Sequence, residues 1–107
     1  MEMPTKINIL GVEYEIIYVD KPSEVDIYQR QSLWGQIDFW TRTIRIYENG
    51  RQVTDLWQSL MHEIIHGISQ QLKIEVLNGD ANEKYVDLLA TGLVDTLFRN
   101  RLISGKA

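Results

Sequence analysis

Residues 53–72, VTDLWQSLMHEIIHGISQQL, decide how this chain folds. Their apolar residues recur at spacings of three and four, which predicts an amphipathic α-helix from about residue 53 to 72. The residues that form this stripe are Val53, Leu56, Trp57, Leu60, Met61, Ile64, Ile65, Ile68 and Leu72. Thr54 or Asp55 is expected to cap the helix, because short polar side chains accept hydrogen bonds from first-turn N–H groups.

The residues before this helix follow the two-residue period of strands. KINILGVEYEIIYV, residues 6–19, alternates around Gly11 and predicts a hairpin or a bent strand pair. WGQIDFW and TIRIYE flank Thr41-Arg42 and predict a second hairpin, with Ile37 and Phe39 on one side and Ile44 and Ile46 on the other. Residues 25–33 fit a short helix or a loop equally well.

A second helix is predicted from about residue 81 to 101. Its inward residues are expected to be Val86, Leu89, Ala90, Leu93, Val94, Leu97 and Phe98. Strands within residues 6–48 followed by two helices predict an α+β fold, with a small antiparallel or mixed sheet of three or four strands packed on two long C-terminal helices. A length of 107 residues predicts a single domain, residues 1–107.

The composition of the chain excludes or disfavours several classes of function. The chain has no cysteine, so disulfides, cysteine nucleophiles and thiolate-bound metals are excluded. A formal net charge of −4, without a basic stripe interleaved with aromatic residues, argues against nucleic acid as the main partner. No signal peptide and no membrane span is predicted, so the expected location is cytoplasmic. The oligomeric state cannot be predicted from the sequence.

The two histidines of the chain, His62 and His66, both lie in the predicted first helix. A separation of four residues is about 400° of rotation and about 6 Å of rise, so the two rings stand one above the other. Both can therefore reach one zinc ion. Glu63 is rotated by about 100° from His62. It is badly placed to be a ligand but close enough to act as a base on a water at the metal, as HExxH motifs require.

A third protein ligand is needed, because catalytic zinc is held by three side chains and keeps one position for water. With cysteine absent and both histidines used, this ligand must be Asp or Glu. The nearest candidates lie in GDANEKYVDLL, where Glu83 opens the second helix and Asp87 follows one turn later on the same face.

HEIIH, residues 62–66, followed by NEKYVD, residues 82–87, resembles the gluzincin pattern of zinc peptidases, HExxH and then NExxxD on the next helix. The resemblance spans about residues 35–100 and is strongest to minigluzincins and to small phage-borne or ImmA-like peptidases. It implies a zincin-like active-site helix, Glu83 as the third zinc ligand, Asp87 as the partner that orients His62, and Asn82 as a support for the other histidine. It also implies a peptide or protein substrate bound along an edge strand.

Each of these residues has a plainer interpretation. The histidines and Glu63 could be ordinary helix-surface residues, and Asp87 could be exposed helix charge. Asp80 and Glu83 also fit a capping box, which explains an acid at position 83 without any metal. Because two histidines and a carboxylate occur together in the spacing HExxH and then NExxxD, the sequence favours a zinc site.

The predicted function is that of a zinc-dependent peptidase, an endopeptidase in which Glu63 is the general base. The alternative is a catalytically silent zinc-binding scaffold or a regulatory module with the same fold. The residue that stabilises the oxyanion is not identified; Tyr28, Tyr47, Tyr85 and Arg45 are residues of suitable type. Substrate specificity and any activation mechanism have no sequence signal.

Overall fold

The computed structural model describes residues 3–74 and 83–103. Its strands are β1 (Lys6–Ile9), β2 (Val12–Val19), β3 (Gly35–Asp38) and β4 (Thr43–Tyr47), and its helices are α1 (Val53–Leu72) and α2 (Glu83–Arg99). A four-stranded mixed sheet followed by two helices confirms the predicted α+β class. Residues 22–24 form a short 3-10 helix, and the rest of the segment between β2 and β3 is irregular.

The sheet has the strand order β1-β2-β4-β3. The two predicted hairpins are antiparallel pairs, β1 with β2 and β3 with β4, while β2 and β4 join them as a parallel pair. The first turn is tight because Leu10 and Gly11 both take positive φ, 51° and 91°, which favours glycine at the second position. This order leaves β3 at one edge of the sheet.

The core lies between one face of the sheet and α1. Ile44 and Ile46 of β4 and Leu60 of α1 are fully buried, and Trp57 packs with them. Gly67 lets α1 approach the sheet closely, because an added Cβ would lie 2.8 Å from Ile9 Cδ1. The helix is therefore held at a fixed height above β1 and β3.

Three details of the sequence prediction are wrong. The N-cap of α1 is Gln52, without a side-chain cap hydrogen bond, and not Thr54 or Asp55. Arg51 instead reaches over the first turns and donates to the carbonyl of Asp55 and to Ser59 Oγ. These bonds fasten the residue before the N-cap to the helix, but they do not cap it, because a guanidinium cannot accept from the first-turn N–H groups.

The other two errors concern apolar residues: Phe39, predicted to share a strand face with Ile37, and two leucines of α2 that were expected to face inward. Phe39 lies in the turn after β3 and is 39% exposed. On α2, Leu89 and Leu93 are 46% and 43% exposed, whereas Val86, Ala90 and Val94 are buried. Apolar residues surround most of α2, so the helical period alone could not tell the buried side from the exposed one.

Neither helix within residues 3–74 and 83–103 combines the length and the hydropathy needed to cross a membrane.

Candidate metal centre

Helix α1 presents both histidines to the start of α2. His62 and His66 are one turn apart, their ring centroids are 4.9 Å apart, and each side chain is 17% exposed. Their Nε2 atoms face each other at 3.2 Å. This arrangement follows from the helical repeat, which brings residues four apart onto one face.

Glu83, at the beginning of α2, completes a group of three. Its Oε2 lies 2.7 Å from His62 Nε2, and its Oε1 lies 2.8 Å from His66 Nε2. One potential ligand atom from each residue lies within 4.8 Å of the others, so these three side chains could hold a metal ion. Because the ligands come from two helices, the group exists only when α2 is packed against α1.

The spacing of the three side chains fits a small tetrahedral cation. Ligand atoms bonded to such an ion at about 2.0–2.1 Å stand about 3.3 Å apart. The observed separations of 2.7, 2.8 and 3.2 Å need only a slight expansion to reach that value. Three electron-rich atoms that face one point also need a shared cation or proton to offset their repulsion.

The protonation state of His66 suits metal binding. Burial lowers the pKa of this imidazole and the neighbouring His62 acts in the same direction, while Glu83 opposes them. The neutral ring is the form that donates a lone pair to a metal. The site therefore presents a ligand that need not first lose a proton at neutral pH.

Asp87 lies beside the opposite nitrogen of the first histidine. Its Oδ1 is 3.6 Å from His62 Nδ1, which is ion-pair distance but too long for a direct hydrogen bond. The predicted partner that orients His62 must lie on this side of the His62 ring. Asn82 and Asp80, to which the sequence assigned supporting and capping positions, lie outside the described residues.

Glu63 is not the solvated acid of the plainer interpretation. It points toward the sheet and is only 7% exposed. Gly35 of β3 leaves the space for its carboxylate, because a Cβ there would lie 3.0 Å from Glu63 Oε2. A glycine inside a strand often marks such a close approach, and this was the available signal for the contact.

Burial changes the acidity of this glutamate. Desolvation, helped by the negative charge of Glu83, raises the pKa of Glu63 to about 8, although a hydrogen bond from the backbone N–H of Ile37 opposes the shift. A carboxyl group that is neutral or half-ionised near neutral pH can both accept and return a proton. It therefore has the acidity of a general base or acid.

A groove runs along β3 and passes over the three potential ligands. Its two halves share Gly35, His62 and Glu63. One half is lined by Trp34, Arg51, Asp55, Gln58, Ser59 and Asp87. The other is lined by Gln31, Leu33, Gln36, Ile37, Phe39, His66, Gln70 and Glu83. The cluster therefore lies where the two halves of the groove meet.

The residues of suitable type for an oxyanion donor do not line this groove. Tyr28 donates to Asp38 Oδ1 at 2.7 Å, and Arg45 donates to the carbonyl of Glu24. Tyr47 and Tyr85 are also absent from the lining residues. The cation in the groove is Arg51, stacked 4.6 Å over Trp34, and sequence reasoning missed it because nothing local distinguishes it from other surface arginines.

The chain matches no protein-family model, no curated protein and no solved structure.

Proposed function

We propose that this chain is a zinc-dependent peptidase of the gluzincin type, an endopeptidase that cleaves peptide or protein substrates. One observation carries the proposal: the ligand atoms of His62, His66 and Glu83 lie within 4.8 Å of one another, and the buried Glu63 lines the same groove. Two imidazoles and one carboxylate are a typical ligand set of catalytic zinc, which leaves a fourth position open.

The roles of the side chains follow from their positions. Zinc bound by the three ligands would act as a Lewis acid and lower the pKa of a coordinated water. Glu63 takes the proton from the attacking water and delivers it to the leaving amine. The negative charge of Asp87, 3.6 Å from Nδ1 of His62, would favour the tautomer with its proton on Nδ1, which leaves the Nε2 lone pair for a metal.

The environment of Glu63 supports its role as the base. The pKa of about 8 belongs to the chain without a cation in the site. A doubly charged ion nearby would lower this pKa toward neutrality, because an opposite charge favours the carboxylate. A base of that acidity works efficiently near pH 7.

The substrate is proposed to bind along β3. The carbonyl of Trp34 accepts a hydrogen bond from the N–H of Tyr47 on β4. Backbone groups of successive strand residues point to opposite edges, so those of Gly35 and Ile37 point away from β4. Both residues line the groove. The N–H of Ile37 already donates to Glu63, so an extended peptide could pair with the N–H and carbonyl of Gly35 and with the carbonyl of Ile37 as an added strand.

The test is hydrolysis of an unfolded protein such as casein by the zinc-loaded chain, with and without chelator. Cleavage should stop with chelator, return with zinc, and be lost in Glu63→Gln while zinc binding stays. Glu15→Gln, a substitution of an exposed glutamate on β2, is the matched control and should retain activity. A zinc-loaded chain that cleaves nothing in a broad substrate panel would overturn the proposal and favour a zinc-binding scaffold.

A further inference from the structure

Helix α2 carries a second apolar face that points away from α1. Its residues follow the spacing i, i+3, i+4, i+7, i+8 of one helical face: Tyr85, Leu88, Leu89, Gly92 and Leu93. The four large side chains are between 43% and 62% exposed, whereas the opposite side of the helix is buried. A contiguous apolar stripe on one helix is the kind of surface that binds another protein surface.

Gly92 in this stripe is not required by the packing of the described residues. It lies inside the helix, where glycine is unfavourable compared with alanine. An added Cβ would meet no atom within 4 Å among the described residues. A helical glycine that has no neighbour among residues 3–74 and 83–103 is explained where a second molecule approaches the helix closely.

The stripe is complementary to itself. Leu88 and Gly92 are one turn apart on the same face, so a two-fold axis near residue 90 brings each leucine over the glycine of the second copy. The same axis brings Lys84 close to Asp95 of the second copy, because both lie on one flank of the stripe and like flanks meet in antiparallel helix pairs. Antiparallel helices also align their dipoles favourably.

We propose that α2 is a self-association surface, through which two copies of this chain pack in an antiparallel pair with Leu88 seated on Gly92. We assign a second copy of the chain as the partner, because the same two-fold rotation pairs a large residue with a small one and a basic residue with an acidic one. The surface lies opposite the α2 face that carries Glu83. The proposal is therefore independent of any chemistry at the metal centre.

The size of the stripe sets the expected affinity. Four half-exposed large side chains offer on the order of 400 Å² per copy, about half of what a standard interface buries on each side. The dimer should therefore be weak, with a dissociation constant on the order of 10–100 µM. It should be visible by sedimentation equilibrium from about 5 to 500 µM chain, with chelator present throughout.

Size variants test the packing. Leu88→Lys and Gly92→Leu should each weaken the dimer at least about tenfold. Gly92→Ala should weaken it less, although alanine favours the helix, so poor folding cannot explain the loss. Leu10→Lys, which changes a leucine that is 56% exposed on the β1–β2 turn, is the control and should dimerise like the parent chain.

Charge exchange tests the antiparallel register. Lys84→Glu and Asp95→Lys should each weaken the dimer, and the double variant should regain most of the lost affinity. Asp95 also pairs with Arg99 in its own helix at 2.8 Å, and Lys84→Glu cannot repair that contact, so recovery would report the pairing between copies. A chain that stays monomeric at about 500 µM, or size variants that dimerise unchanged, would overturn the proposal.

Discussion

Replacing Glu63 by glutamine should stabilise the metal-free chain at neutral pH, although it removes the proposed base. The carboxyl is buried against Gly35, and its pKa rises from 4.5 to about 8 on folding. At pH 7 the unfolded chain carries an ionised Glu63, whereas the folded chain keeps it mostly neutral. Folding must therefore take up a proton, which costs free energy above pH 4.5.

The magnitude follows from the difference in pH units. Between pH 4.5 and pH 7 there are 2.5 units, and each is worth about 1.36 kcal/mol, which makes the cost about 3 kcal/mol. Glutamine has nearly the same shape and carries no charge, so Glu63→Gln should be more stable by about that amount at pH 7. The difference in unfolding free energy between Glu63→Gln and the parent chain should vanish below pH 4.5 and become constant above pH 8. A carboxyl whose pKa is raised by folding costs the parent chain stability only as the pH rises between these two values.

The assay is urea unfolding of both proteins with chelator, at several values between pH 4 and pH 9. A gain of about 3 kcal/mol should move the midpoint by about 1–3 M urea. Other groups titrate in both proteins, so the difference between the two curves isolates Glu63. Glu15→Gln should stay within about 0.5 kcal/mol of the parent chain. Equal stabilities for Glu63→Gln at every pH would refute the reasoning, because the carboxyl would then not be desolvated.

Three further outcomes are expected. Gly35→Ala should lower peptidase activity about tenfold and leave zinc affinity unchanged, because the added Cβ would displace the Glu63 carboxylate by a few tenths of an ångström. Unchanged kinetics would disprove this. The hydrogen bond from Gln36 lowers the pKa of the buried Asp26 to about 2. The parent chain should therefore lose stability as the pH falls from about 4 to 2, and Asp26→Asn should lose less over the same range in thermal unfolding. An equally steep loss in the variant would contradict this. Asp87→Asn should weaken zinc binding about tenfold in competition titrations, because it removes the partner of one imidazole; an equal affinity would count against that role.

The parts of the fold that could be predicted are those set by local periodicity. The period of residues 53–72 is unbroken, and α1 spans those residues. Both antiparallel pairs were predictable because each is closed by a short turn. The parallel pairing of β2 with β4 was not, since alternation gives strand faces and not strand neighbours. Long-range contacts decide that order.

In the candidate site, too, local periodicity predicts some positions and long-range contacts determine the others. His62 and His66 are related by one helical turn, so the sequence alone places them together. Glu83 is 21 positions from His62, and only the resemblance to a known motif singled it out among the acids. The burial of Glu63 depends on a strand far away in sequence, and a helical wheel contains no information about it.

Zinc content of the purified chain tests the central claim most directly. Dialysed against trace zinc and analysed by elemental mass spectrometry, the parent chain and Glu15→Gln should each retain about one zinc ion per chain. Glu83→Ala, which keeps both histidines, should retain almost none, because two ligands do not hold the ion against dialysis. Absence of zinc from the parent chain, or full retention by Glu83→Ala, would contradict a centre built from His62, His66 and Glu83.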